Sequence, residues 1–137
     1  MLRILLVEDN SADVTLLKEL FGESRNTDIQ WVSNGADALD YLYKRGAFQD
    51  KQRPDLILLD LSLPKVGGYD VLKALKEDLR LADIPVVVLS TSRNPLDQQE
   101  TKMLGASAFI SKPQNLEGYE KLVDELMHAD IPRLIKH

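Results

Sequence analysis

The chain has 137 residues, 44% apolar and 28% charged, which fits a single globular domain and excludes a disordered chain. Seventeen lysines and arginines face 22 acids, and the net charge of -5 argues against nucleic-acid binding through clustered positive charge. The lack of cysteine excludes a disulfide frame, a thiol nucleophile and a cysteine zinc site, and no apolar run approaches the ~18 residues that span a bilayer. The first strand pattern starts near residue 3, leaving no room for a signal peptide, so a cytoplasmic protein with no membrane partner is expected.

Ile4-Leu5-Leu6-Val7 reads as a strand buried on both faces of a parallel sheet, and it runs directly into Glu8-Asp9. Ser11 is placed to cap a helix with Val14, Leu17, Leu20 and Phe21 on one face, stopped by Gly22 or the polar run at 23–26. Residues 29–32 form a short strand that holds the only tryptophan, Trp31, away from the acids in the chain. After Asn34-Gly35, a second helix carries Ala36, Leu39, Tyr41, Leu42 and Tyr43 and ends near Gly46. The polar stretch 49–53 leads into an apolar strand at 56–59, which delivers Asp60 into a loop closed by Pro64. Gly67-Gly68 opens a third helix with Val71, Leu72, Leu75 and Leu79 inward. Pro85 starts the strand Val86-Val87-Val88-Leu89, which runs into Ser90-Thr91-Ser92. A more polar helix over 96–104 ends at Gly105. Ala108-Phe109-Ile110 then runs into Ser111-Lys112-Pro113, and a last amphipathic helix over 116–127 carries Leu116, Tyr119, Leu122, Val123 and Leu126. Five strands alternating with five helices predict an α/β fold, a doubly wound five-stranded parallel sheet with helices on both faces.

In such a sheet the carboxyl ends of the strands share one edge, where ligand sites lie, so Glu8, Asp9, Asp60, Ser90 and Lys112 converge. Alone, an acid after a strand is equally a helix N-cap or a solvated turn. In company, three carboxylates with neither cysteine nor histidine beside them suit a hard cation, and Mg²⁺ fits best. Lys112 offsets the repulsion among the acids; its alternative is a solvated lysine. If Asp60 accepts a phosphoryl group, Mg²⁺ and Lys112 screen the arriving charge. Ser90 offers a hydroxyl to a phosphoryl oxygen, or simple turn chemistry, and Phe109 is a neighbouring aromatic or plain core. A cis bond before Pro113 would aim Lys112 into the site. No G-x-x-x-x-G-K-[ST] loop is present, and His128 and His137 lie far along the chain from any strand end.

Taken together, Val7-Glu8-Asp9-Asn10, Leu59-Asp60-Leu61-Ser62-Leu63-Pro64 with Gly67-Gly68, Leu89-Ser90-Thr91, Gly105-Ala106 and Lys112-Pro113 resemble the receiver domain of two-component response regulators over residues 2–127. The resemblance implies a flavodoxin-like strand order 2-1-3-4-5, a receiver domain at 1–128 and a C-terminal arm at 129–137. It further implies that Asp60 is the phosphoacceptor, that Glu8, Asp9, Asp60 and the Ser62 carbonyl hold Mg²⁺, and that Ser90, Thr91 and Lys112 contact the phosphoryl group. Ser90 and Phe109 are then the switch pair. Thr91 stands where alanine or glycine is frequent, implying slowed phosphoryl access and loss, and Phe109 lacks a tyrosine hydroxyl.

The long loop at 44–53, Leu-Pro-Lys after the acid and the single domain look most like regulators that partner phytochrome-type histidine kinases. The expected function is therefore phosphoacceptance from a histidine kinase, followed by a switch in the surface of the fourth helix, fifth strand and fifth helix. Such a protein is no enzyme beyond its own phosphotransfer and dephosphorylation. One alternative is an adaptor that ignores phosphorylation. Another is a haloacid-dehalogenase-like phosphatase, which would carry an acid where Ser62 stands. In the arm, Ile131, Pro132, Leu134 and Ile135 form an apolar segment that Pro132 keeps from continuing the helix, and a homodimer exchanging such arms is expected.

Overall fold

The computed structural model describes residues 2–22, 26–63 and 67–128. In chain order these form β1 (Leu2–Val7), α1 (Ser11–Gly22), β2 (Thr27–Val32), α2 (Gly35–Leu42), a 3₁₀ turn (Gly46–Phe48), β3 (Leu56–Asp60), α3 (Gly68–Glu77), β4 (Val86–Ser90), α4 (Pro95–Met103), β5 (Ala108–Ser111) and α5 (Leu116–Met127). All strand pairs are parallel, in the order β2-β1-β3-β4-β5. The fold is flavodoxin-like, as the sequence predicts.

The apolar runs have the composition they do because both faces of the central strands are covered. Leu5, Val7, Ile57, Leu59, Val86 and Val88 enter one core with Val71, Leu72 and Leu75 of α3. The alternate residues Ile4, Leu6, Leu56, Leu58, Val87 and Leu89 enter the other with Val14, Leu17 and Phe21 of α1 and Tyr119, Leu122, Val123 and Leu126 of α5. With every side chain of β1 beyond its first two residues buried, a slip of one residue would exchange the two cores, so packing fixes the register. That register sets Val7 opposite Leu59, Asp60 opposite Leu89 and Ser90 opposite Ser111, which aligns the strand ends where the acids and the lysine leave the sheet.

Several local expectations are corrected. Asn10, rather than Ser11, caps α1: its Oδ1 accepts the amides of Ala12 (3.0 Å) and Asp13 (3.2 Å). The helix α2 stops at Leu42 instead of near Gly46, because Lys44 turns into the left-handed region (φ 57°) after the amide of Tyr43 closes on the Leu39 carbonyl. Leu79 is 93% exposed: Asp78 turns extended at the end of α3, and Leu81 and Ile84 supply the inward apolar groups. Leu116 and Leu96, each in the first turn of a helix, are also exposed. Gly105 ends the α4 segment at φ 101°, with the Lys76 stem 3.0 Å from where a side chain would start. The segment 129–137, with Ile131, Pro132, Leu134 and Ile135, and likewise Pro64, lie outside the described residues.

The tightest approach that positions the site is at Gly68. A Cβ there would lie 2.4 Å from the Asp60 carbonyl oxygen and 2.6 Å from the Leu61 Cα, and the Gly68 amide donates to the Leu61 carbonyl at 3.2 Å. The start of α3 is thus clamped onto the backbone of the β3 end. Gly68→Ala should lower stability by about 1–3 kcal/mol, read as a reduced urea midpoint. Gly22→Ala, with nothing within 4 Å of the new methyl, should leave the midpoint unchanged or slightly raised.

Candidate functional site

Three chain segments meet at the carboxyl edge of the sheet. Glu8 and Asp9 follow β1, Asp60 ends the adjacent β3, and Lys112 follows β5. One oxygen from each of Glu8, Asp9 and Asp60 lies within 4.8 Å of the others. Glu8 (1% exposed) and Asp60 (5%) are buried, whereas Asp9 faces solvent. Glu8 Oε1 accepts the Asn10 amide (3.1 Å), and Asp60 Oδ1 accepts the Ser62 amide (3.1 Å), so each buried carboxylate is fixed by its own loop.

Lys112 supplies the opposing charge. Its backbone amide donates to the Ser90 carbonyl (2.8 Å), extending the β4–β5 pairing by one residue and setting the stem at the sheet edge. The ammonium then reaches Glu8 Oε2 (2.8 Å), Asp13 Oδ2 (3.2 Å) and Asp60 Oδ2 (3.4 Å). Three N–H donors meet three carboxylates. The expected cis bond before Pro113 is corrected, since no described peptide bond is cis. Strand pairing and three ion pairs place Lys112 without it.

Burial disfavours the Glu8 carboxylate most strongly; the Lys112 hydrogen bond opposes this and nearby Asp60 reinforces it, leaving Glu8 pushed up to about 7 from 4.5. Burial also works against the Lys112 charge. There the hydrogen bond and charge of Glu8, with Asp60 and Asp13, outweigh it and hold the ammonium above the ordinary lysine range. Lys112 is therefore a cation, and Glu8 an acid that gains its charge near neutrality.

Ser90 is buried, and its Oγ accepts the Ser92 amide at 3.0 Å, one strand from Asp60. Thr91, exposed, sits beside Asn10, Asp13, Lys112 and Pro113 around a shallow cleft of about 310 Å³. Phe109 is half-buried against the α3-side core and borders a separate cleft with Gln98, Thr101 and Ser107. It stands opposite Val88 on β4 and takes no part in the carboxylate cluster.

Sequence reasoning missed three residues. Asp13, one helical turn after Asp9, shares Lys112 with the buried acids; its spacing was the available signal. Tyr119 reads as core in the apolar face of α5, yet its hydroxyl donates to Asp13 Oδ1 (3.3 Å), and burial first, then Asp13, pushes it up to about 12. Trp31, distant in the chain, donates its indole N–H to the Glu8 carbonyl at 2.7 Å and so borders the acidic loop.

An all-oxygen donor set of three carboxylates, two of them buried, fits a hard divalent cation. Within it, the Asp60 carboxylate also faces the Lys112 ammonium, an arrangement that suits a nucleophilic aspartate in phosphoryl chemistry. The sequence profile of the response regulator receiver domain matches residues 4–124. The chain belongs to this family. It is 39% identical over 121 residues to the response regulator Rcp1 of Synechocystis, covering 88% of this chain and 82% of that protein. The crystal structure of the Mn²⁺-bound form of Rcp1 superposes with a TM-score of 0.86 at 37% identity, covering 92% of this receiver and 91% of that chain. The phosphorylated cyanobacterial phytochrome response regulator RcpA gives the same TM-score at 41% identity, covering 90% and 89%. No described helix of this receiver is long and apolar enough to cross a membrane.

The raised Glu8 value carries a pH signature. Between about pH 4.5 and 7 the folded receiver holds a proton that the unfolded chain releases, so its stability without divalent metal falls as pH rises through this window. Glu8→Gln should remove that decline, as read by urea unfolding at a series of pH values. Divalent-metal affinity of the unmodified receiver should rise over the same range, because the metal requires the charged carboxylate.

Proposed function

We propose that Asp60 accepts a phosphoryl group from the phosphohistidine of a histidine kinase, and that the acyl phosphate so formed switches the surface of this receiver. The observation that supports this most directly is the Asp60 carboxylate itself: buried, with Oδ1 held by the Ser62 amide, and Oδ2 facing Lys112 inside a metal-type cluster. A carboxylate oxygen attacks phosphorus, the new O–P bond replaces the N–P bond of the phosphohistidine, and the imidazole leaves. Glu8, Asp9, Asp60 and the Ser62 carbonyl would hold Mg²⁺, which supplies positive charge to the transferring oxygens.

On the product, Lys112 exchanges its Asp60 contact for a phosphoryl oxygen. Ser90 turns its hydroxyl from the Ser92 amide towards the phosphoryl group, joined by the Thr91 amide. Phe109, on the strand beside Ser90, moves with it, and the surface of α4, β5 and α5 changes. Thr91 narrows the approach to Asp60, and Phe109 switches without a hydroxyl.

The similarity to RcpA supports a kinase of the phytochrome type as the phosphodonor, and a cytoplasmic setting belongs to the same reading. The receiver then acts as a signalling protein whose chemistry is confined to its own phosphorylation and dephosphorylation. A homodimer exchanging the 129–137 arms belongs to the same reading, on the strength of the apolar pattern at Ile131, Pro132, Leu134 and Ile135. Sedimentation should find the full chain dimeric and a chain ending at Met127 monomeric; equal behaviour of the two would remove the arm from the assembly.

Incubation with acetyl phosphate and Mg²⁺ should add one phosphoryl group to the receiver by mass, while Asp60→Asn, nearly isosteric but a poor nucleophile, should fold normally and gain none. Equal labelling of the two would contradict the assignment.

A further inference from the structure

Lys112 has one carboxylate partner that the metal-type cluster does not share. Glu8 and Asp60 belong both to that cluster and to the lysine, so an ammonium and a divalent cation compete for them. Asp13 lies outside the cluster, in the first turn of α1, with Oδ2 on the ammonium at 3.2 Å. Its other oxygen, Oδ1, takes the hydroxyl of Tyr119 from α5 at 3.3 Å. The carboxylate is thus gripped from two sides, by β5 through Lys112 and by α5 through Tyr119.

We propose that Asp13 is a positioning residue, anchored by Tyr119, that gives Lys112 an anionic partner outside the cluster and so lets a divalent cation take over the ammonium's contacts with Glu8 and Asp60. For the phosphoryl step this rests on Asp60 being the phosphoacceptor. The separation matters because a phosphoryl group on Asp60 presents several charged oxygens, and two cations stabilise them best from different directions. Without Asp13, the ammonium has only the cluster's own carboxylates to pair with, and its existing contacts with Glu8 and Asp60 become harder for a metal to displace. A simpler role for Asp13 is an acid in the first helical turn, favoured by the helix dipole. That role predicts a change in stability alone.

The test uses the full-length protein with Asp13→Asn, Tyr119→Phe, Lys112→Met and the double variant Asp13→Asn with Lys112→Met, each checked by circular dichroism. Two quantities are measured: Mg²⁺ affinity by calorimetry without a phosphodonor, and phosphoryl uptake from acetyl phosphate by mass. Asp13→Asn should weaken Mg²⁺ binding by about fivefold and slow uptake by about tenfold, in line with coupling energies between residues of one network. Tyr119→Phe, which alters no charge, should move both quantities in the same direction by about two- to threefold. In the Lys112→Met background, Asp13→Asn should change Mg²⁺ affinity by less than about twofold, since the group through which it acts is gone.

The proposal is overturned if Asp13→Asn leaves Mg²⁺ affinity at the unmodified value. It is equally overturned if the loss is as large without Lys112 as with it, because Asp13 would then act as a distant charge. Tyr119→Phe indistinguishable from the unmodified protein removes the anchor. Absence of uptake by the unmodified protein would count against Asp60 as phosphoacceptor and leave the metal-affinity comparison to decide the role of Asp13.

Discussion

The pairing of the Lys112 ammonium with the carboxylates of Glu8, Asp13 and Asp60 is the constraint on which the rest of the site depends. Buried carboxylates repel one another and lose hydration, and neither cost is tolerable without a counter-charge at hydrogen-bond distance. Lys112 supplies that charge at 2.8 to 3.4 Å, and the loop amides of Asn10 and Ser62 satisfy further carboxylate oxygens. The balance is incomplete. Burial still pushes Glu8 up to about 7, and three carboxylates share one ammonium, so the cluster has room for further positive charge.

The fold serves this balance by aligning strand ends. Parallel strands packed on both faces cannot slip in register, so the residues that follow them arrive at one edge at fixed heights. The backbone beyond β3 is set by Gly68, whose missing side chain lets α3 start against the Asp60 carbonyl and the Leu61 Cα. On the far side, Lys112 stays in the sheet ladder through the Ser90 carbonyl, which ties the counter-charge to the strand that carries Ser90. Asp60 is thus joined to β4 and β5 by contacts that run through Lys112.

The architecture was legible because each central strand is an unbroken apolar run and each run is followed at once by an acid, a hydroxyl or a lysine. Reading Ile4 to Val7, Leu56 to Leu59 and Ala108 to Ile110 as parallel strands was enough to bring Glu8, Asp9, Asp60 and Lys112 together. Local stops were less legible. Asn10 and Ser11 are both good caps, and only backbone geometry selects Asn10. Leu79 continues the helical period in sequence, but the chain has already left the helix at Asp78. Asp13 and Tyr119 escaped notice for a different reason: each fits its helix without a partner, as a first-turn acid and as an apolar-face aromatic, and the contact between them joins residues 106 positions apart. No cis bond before Pro113 is needed to aim Lys112, because pairing with β4 already aims it.

The central claim, that this balanced cluster makes Asp60 a phosphoryl acceptor, is tested most directly by trapping the product. After reaction with acetyl phosphate and Mg²⁺, borohydride reduces an aspartyl phosphate to homoserine, and peptide mass mapping then locates the modified residue. The account predicts homoserine at position 60 alone, dependent on both the phosphodonor and the metal. Reduction at Asp9, Asp13 or Glu8 in place of Asp60, or at no residue of a protein that has gained phosphate, would contradict it.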